Sequence, residues 1–96
     1  MKDKCLQDLH NLKNMVDSEN LRQITKWGIQ DRTPFEWLGF TTEELGELAS
    51  AIGEWQFRGG RATDVVKEAI QVATLSLKIA EIFYAERENA QTDKRR

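Results

Sequence analysis

Ninety-six residues, 40% apolar and 31% charged, suit one folded domain and exclude disorder over most of the chain. A formal net charge of −2 gives no bulk electrostatic reason for a nucleic-acid partner, and the single cysteine, Cys5, excludes an internal disulfide or a cysteine cage for zinc. No apolar run approaches the ~18 residues of a membrane span and no signal-peptide pattern opens the chain, so no membrane contact and a cytoplasmic location are expected.

One proline and six glycines are few breakers, and they point to an all-α chain. Residues 3–16 read as an amphipathic helix, with Leu6, Leu9, Leu12 and Val16 at helical spacing and Asp3 as a cap. Residues 17–20 form a soft spot, after which Leu21, Ile24 and Trp27 resume the period. One bent helix to Lys26 and two short helices both fit. His10, the only histidine, has no second imidazole to join it and reads as a surface residue.

Gly28 is placed to end this helix. Thr33-Pro34-Phe35-Glu36 is a capping box with proline at the first helical position. Gly39 interrupts or ends the helix that follows. Thr41 with Glu44 makes a second capping box, which either starts a fresh helix or lies within a kinked one running to Trp55 or Phe57. Arg58-Gly59-Gly60-Arg61 is the clearest break. Thr63 or Asp64 is the expected cap of a last helix reaching about Glu88, and residues 89–96 read as a frayed, charged tail.

That last helix is apolar around most of its circumference from Val65 to Tyr84. Such a helix must be surrounded by protein, and the rest of a 96-residue chain is too small to do it. A second subunit is therefore expected.

The informative stretch is Thr42–Ile52, where Glu43, Glu44 and Glu47 crowd one helix. Like charges one turn apart repel by a few tenths of a kcal/mol. Solvent or a cation between them removes that cost. On the apolar last helix, Glu68, Gln71 and Lys78 share a ridge with Leu75. Polar groups there need partners. Antiparallel packing of the two long helices would bring Glu43, Glu44 and Glu47 to Glu68 and Gln71. Oxygen donors without sulfur or imidazole suit Mg²⁺ or Mn²⁺. Solvated surface glutamates are the plain alternative.

The runs Lys26-Trp27-Gly28, Glu36-Trp37-Leu38, Thr42-Glu43-Glu44-Leu45-Gly46-Glu47-Leu48 and Glu68-Ala69-Ile70-Gln71-Val72-Ala73 resemble the MazG-like all-α nucleoside triphosphate pyrophosphohydrolases. That family carries Glu-x-x-Glu on one helix and Glu-x-x-Asp on a following one. Here 20 residues lie between Glu47 and Glu68. The resemblance covers about 26–81, in a chain near the minimal form of the fold. It maps the first acidic pair onto Glu44 and Glu47, the extra preceding acid onto Glu43, and the second glutamate onto Glu68. Gln71 stands where the family has aspartate. A glutamine carbonyl can ligate a metal but brings no charge and cannot act as a base.

The resemblance implies an all-α, four-helix-type bundle of about four helices, assembled as a homodimer or homotetramer. It implies Mg²⁺- or Mn²⁺-dependent hydrolysis of a nucleoside triphosphate, deoxy or non-standard, to monophosphate and pyrophosphate. Glu44 or Glu47 would take the proton of the attacking water. Lys78, Arg58 and Arg61 are the candidate phosphate cations, with solvated charge as their alternative reading. Trp27, Trp37 and Lys26 are the candidate base-side residues, with core or dimer packing as the alternative for the aromatics. Two other functions fit the same residues: a metal- or nucleotide-binding module without turnover, and a structural helical dimer acting as an interaction protein.

Overall fold

A computed structural model describes Leu6–Thr92, with side chains as far as Arg87. Within these residues the chain folds into three helices and no strand: α1 (Leu9–Trp27), α2 (Pro34–Arg58) and α3 (Ala62–Thr92). The all-α expectation holds at that level, with three helices where about four were expected.

The first helix begins later than the apolar spacing suggests, because Leu6 sits in a turn with φ of 64°. The proposed Asp3 cap lies outside the described residues. Residues 17–20 do not break α1. Glu19 ties the next turn together, accepting from Arg22 Nε at 2.9 Å and from Gln23 Nε2 at 2.7 Å. Gly28 ends the helix with φ of 76°, its N–H donating to Ile24 O at 2.7 Å.

The Thr33 capping box forms in both directions. Glu36 N donates to Thr33 Oγ1 at 3.2 Å, and Thr33 N donates to Glu36 Oε1 at 2.8 Å. The second capping box does not form, which removes the expected fourth helix. Thr41 and Thr42 instead donate their hydroxyls back to Trp37 O and Leu38 O, at 2.8 and 2.9 Å, inside one continuous α2. Gly39 is simply passed through.

Gly59, at φ 74°, and Gly60 turn the chain into α3. A Cβ on Gly60 would stand 2.9 Å from the Glu54 carbonyl carbon. We expect Gly60→Ala to destabilise the fold by about 1–3 kcal/mol in thermal or urea denaturation. Gly39→Ala, with nothing within 4 Å of the new Cβ, should instead stabilise it by about 0.5–1 kcal/mol. Because α3 starts at Ala62, Thr63 and Asp64 lie inside its first turn and are not its caps. Asp64 pairs there with Arg61 at 3.1 Å. The helix runs past Glu88 to Thr92.

The helices run alternately up and down. α2 and α3 form an antiparallel hairpin, and α1 packs on α3 alone. Asn20 meets Lys78 and Met15 lies beside Ile70, so α1 is parallel to α3. Since α1 does not pack on α2, a groove opens between them with α3 as its floor. The buried residues are few: Trp37, Ile70, Leu75 and Thr74. The Thr74 hydroxyl is satisfied by Ile70 O at 2.8 Å. The radius of gyration is 16.3 Å, against about 12.5 Å for a compact chain of this length. No helix among the described residues is long and apolar enough to cross a membrane.

Candidate functional site

The groove has a volume of about 820 Å³, a size that suits a small organic ligand. Each helix contributes one wall or the floor. From α1 come Glu19, Asn20, Gln23 and Trp27; from α2, Trp37, Phe40 and Glu44; from α3, Gln71, Thr74 and Lys78. The ridge of Glu68, Gln71, Leu75 and Lys78 expected from helical spacing lies against the other helices, with Leu75 buried and the polar three half-buried.

At one end of this groove the two long helices bring their acids together. The Gln71 amide satisfies its surroundings only with its nitrogen turned to the carboxylates. It then donates to Glu44 Oε2 at 2.8 Å and to Glu68 Oε2 at 2.9 Å. Burial pushes the Glu44 carboxyl above the ordinary glutamate range, and hydrogen bonding and charge from Glu68, then charge from Glu47 and Glu19, add to this. Glu19 moves the other way, held low chiefly by its hydrogen bond to Arg22.

The sign of the Glu44 shift sets a pH dependence. A raised folded-state pKa means that the folded protein binds the proton more tightly than the unfolded chain. The stabilisation is present below the ordinary value of 4.5 and is lost as pH rises through the raised value. Without divalent cation, Glu44→Gln should therefore melt at a higher temperature than wild type at pH 7. That difference should shrink towards pH 4. Thermal denaturation at the two pH values checks it.

The remaining acids stand further out. Glu43 and Glu47 are exposed, and Glu47 reaches Glu44 only through its charge. Among the described residues, no three acidic side chains converge closely enough to enclose a metal ion. The convergent set is two carboxylates and an amide. The two carboxylates are hard oxygen donors of the kind that suits a Mg²⁺-type ion keeping several waters or sharing ligands with a phosphate, whereas the Gln71 amide presents its nitrogen to them.

The candidate cations divide. Lys78 lines the groove, donating to Asn20 Oδ1 at 2.8 Å with its Nζ 5.6 Å from the centre of the Trp37 ring. Arg58 and Arg61 do not reach it. They sit at the hairpin turn, paired with Glu54 at 2.9 Å and Asp64 at 3.1 Å. Arg58 is about 20 Å along α2 from Glu44. Of the aromatics, Trp37 is 9% exposed and packs edge-on against Phe40, with ring centres 6.0 Å apart. Trp27 is 52% exposed at the groove's rim, with Lys26 Nζ 4.7 Å and Arg22 Cζ 5.7 Å from its ring centre.

Apart from Trp27 and Lys26, sequence reasoning missed the contribution of α1. Val16, Asn20, Gln23 and Trp27 recur at helical spacing on one side of it, and all line the groove. That mixed stripe was the available signal, obscured by reading 17–20 as a soft spot that left a bent helix and two short helices both open. Arg32 was also missed. It is half-buried on the groove wall, with Cζ 4.9 Å from the centre of the Phe40 ring.

No family model, curated protein or solved structure matches this chain.

Proposed function

We propose that this chain hydrolyses a nucleoside triphosphate to the monophosphate and pyrophosphate with a divalent cation, Mg²⁺ or Mn²⁺. One observation carries the reading: Glu44 from α2 and Gln71 from α3 line a groove that also holds Lys78 and Trp27, and the Gln71 amide joins Glu68 to Glu44 there. Among the described residues, these are the acids that two different helices direct to one point while a cation and an exposed aromatic share the same cleft.

In this reading Glu44 and Glu68 hold the cation, and Gln71 supplies its carbonyl oxygen once its amide turns over. Glu43 and Glu47 add negative potential from the rim. The ion, when bound, neutralises phosphate charge and lowers the pKa of a bound water. The water oxygen attacks the α-phosphorus, the bond from that phosphorus to the bridging oxygen breaks, and pyrophosphate leaves. Glu44, or Glu47, its neighbour one turn on, takes the water proton. Lys78 and Arg32 lie in the groove to meet phosphate oxygens, which leaves Arg58 and Arg61 to their local ion pairs. Trp27 offers the accessible ring for a base, with Lys26 beside it, while Trp37 serves as groove wall. The active form is a homodimer or homotetramer, and the broad apolar surface of α3 supports self-association.

A second reading, binding without turnover, is favoured by the uncharged Gln71, which leaves the second pair one charge short. Incubation with a panel of canonical and modified nucleoside triphosphates and Mg²⁺ or Mn²⁺ separates the two. Pyrophosphate release supports hydrolysis, and calorimetric binding without release supports the second reading. Neither result would leave a structural helical assembly. We also expect Gln71→Asp to tighten Mn²⁺ binding by about tenfold, since a carboxylate replaces a neutral ligand; unchanged affinity would place Gln71 outside the ligand set.

A further inference from the structure

A second cleft, of about 380 Å³, opens between α1 and α3. Asn14, Ser18 and Arg22 recur at every fourth residue of α1, which sets them in one row along its edge. Lys67 lines the cleft from α3. Glu19 and Arg22 line both the cleft and the groove, so the two openings meet at this pair.

The chemistry of the cleft favours an anion. Glu19 is the one carboxylate among its lining residues, and both of its oxygens are engaged. Oε1 accepts from Arg22 Nε at 2.9 Å, and Oε2 accepts from Arg22 Nη2 and Gln23 Nε2, each at 2.7 Å. The Glu19 side chain is 11% exposed and that of Arg22 47%, so the acid is shielded while the guanidinium stands open. A guanidinium has five N–H groups. Two face Glu19 and the others are left for a ligand. Lys67 is exposed and has no hydrogen bond or ion pair among the described residues. Its charge is the last of the causes that lower the Glu19 carboxyl, after the hydrogen bond to Arg22, so it bears on the same pair through space. Ser18 and Asn14 add an exposed hydroxyl and an exposed amide.

We infer that Arg22 and Lys67 form a phosphate-binding site in the α1/α3 cleft, which takes the end of the substrate that leaves as pyrophosphate. The role in the reaction rests on the hydrolase reading; the affinity for a phosphate anion does not. Position along α3 supports it. Lys67 lies roughly 6 Å along the helix axis from Gln71. Glu68, the next residue, turns to the α2 side, where the Gln71 amide joins it to Glu44, whereas Lys67 turns to α1. Arg22 in turn feels Glu44: the hydrogen bond to Glu19 is the main cause that raises its guanidinium, and the charge of Glu44 is the last. The two sides of α3 thus carry opposite signs, acids for a cation on one and cations for an anion on the other. A phosphate chain held at its middle by an ion on Glu44 and Glu68 has its end between Lys67 and Arg22. A guanidinium fork beside a point-charge ammonium suits the several oxygens of a phosphate. Glu19 is a positioning residue, holding that fork at the junction of groove and cleft.

Titrating inorganic pyrophosphate into the full chain without divalent cation, followed by amide chemical shifts at low ionic strength, tests the site apart from turnover. The expected result is saturable binding with the largest shifts at Ser18, Arg22 and Lys67. Affinity should fall at least fivefold in Lys67→Gln and in Arg22→Gln. Lys67→Arg should recover most of it, and Arg58→Gln, which removes the same charge from a residue outside the cleft, should bind as wild type. Because Arg22→Gln also uncovers Glu19, Arg22→Lys tests the fork with the charge kept, and it should still bind more weakly than wild type. No saturable binding by the wild type, or wild-type affinity in both Lys67→Gln and Arg22→Gln, overturns the inference. The hydrolase reading fails separately. Pyrophosphate bound through Lys67 by a protein that hydrolyses no nucleoside triphosphate keeps the anion site and removes the reaction. Hydrolysis with a wild-type KM in both variants keeps the reaction and overturns the place of the cleft in it.

Discussion

Glu44→Ala and Glu68→Ala should each lower pyrophosphate release by at least about a hundredfold. The two acids reach one point from different helices, joined there by the Gln71 amide at 2.8 and 2.9 Å. Removing either leaves a single carboxylate and a neutral amide, too little charge to hold a divalent ion against water. Glu44 carries the larger expected loss, because in this reading it both holds the ion and is one of the two glutamates placed to take the proton. Glu43→Ala, at an exposed position on the rim, should cost about tenfold or less. Steady-state rates at saturating Mg²⁺ check the order. A Glu68→Ala variant as active as wild type would remove α3 from the chemistry. Glu44→Gln separates the two roles of Glu44, since it keeps a ligating oxygen but cannot accept the proton.

Trp37→Ala should be the most damaging single change to the fold, at about 3–5 kcal/mol. Trp37 is one of the few buried large side chains, it packs edge-on against Phe40, and Lys78 lies over its ring. It therefore links α2 to α3 at the groove floor. Small domains hold only about 5–15 kcal/mol in all, so the variant should be close to unfolding at 37 °C. Trp27→Ala, at the exposed rim, should cost less than about 1 kcal/mol. Urea denaturation followed by far-ultraviolet circular dichroism measures both, and equal losses would mean that burial does not decide the difference.

Much of the architecture was legible in local chemistry. Gly28, the Thr33–Glu36 box and the Gly59-Gly60 turn mark element boundaries because caps and positive φ depend on neighbours a few residues apart. Thr41 misled for the same reason. Its hydroxyl serves equally as a cap or as a donor to the carbonyl one turn back, and the choice depends on whether the helix already exists at Trp37. The pairing of Glu44 with Glu68 was also within reach, since two long helices joined by a tight turn must run antiparallel. The place of α1 was not. Nothing local states that it packs on α3 and leaves α2 free, and that arrangement is what makes a groove. Arg58 and Arg61 illustrate the same limit: near in sequence to the second acidic motif, they are carried to the far end of the hairpin and paired there.

The central claim is that α2 and α3 together build one divalent-cation site. Titrating Mn²⁺ into wild-type protein and into Glu68→Ala, by calorimetry at neutral pH, tests it most directly. The account predicts saturable binding in the wild type that weakens at least tenfold in Glu68→Ala. Equal binding by the two proteins, or no saturable binding by the wild type, would contradict it.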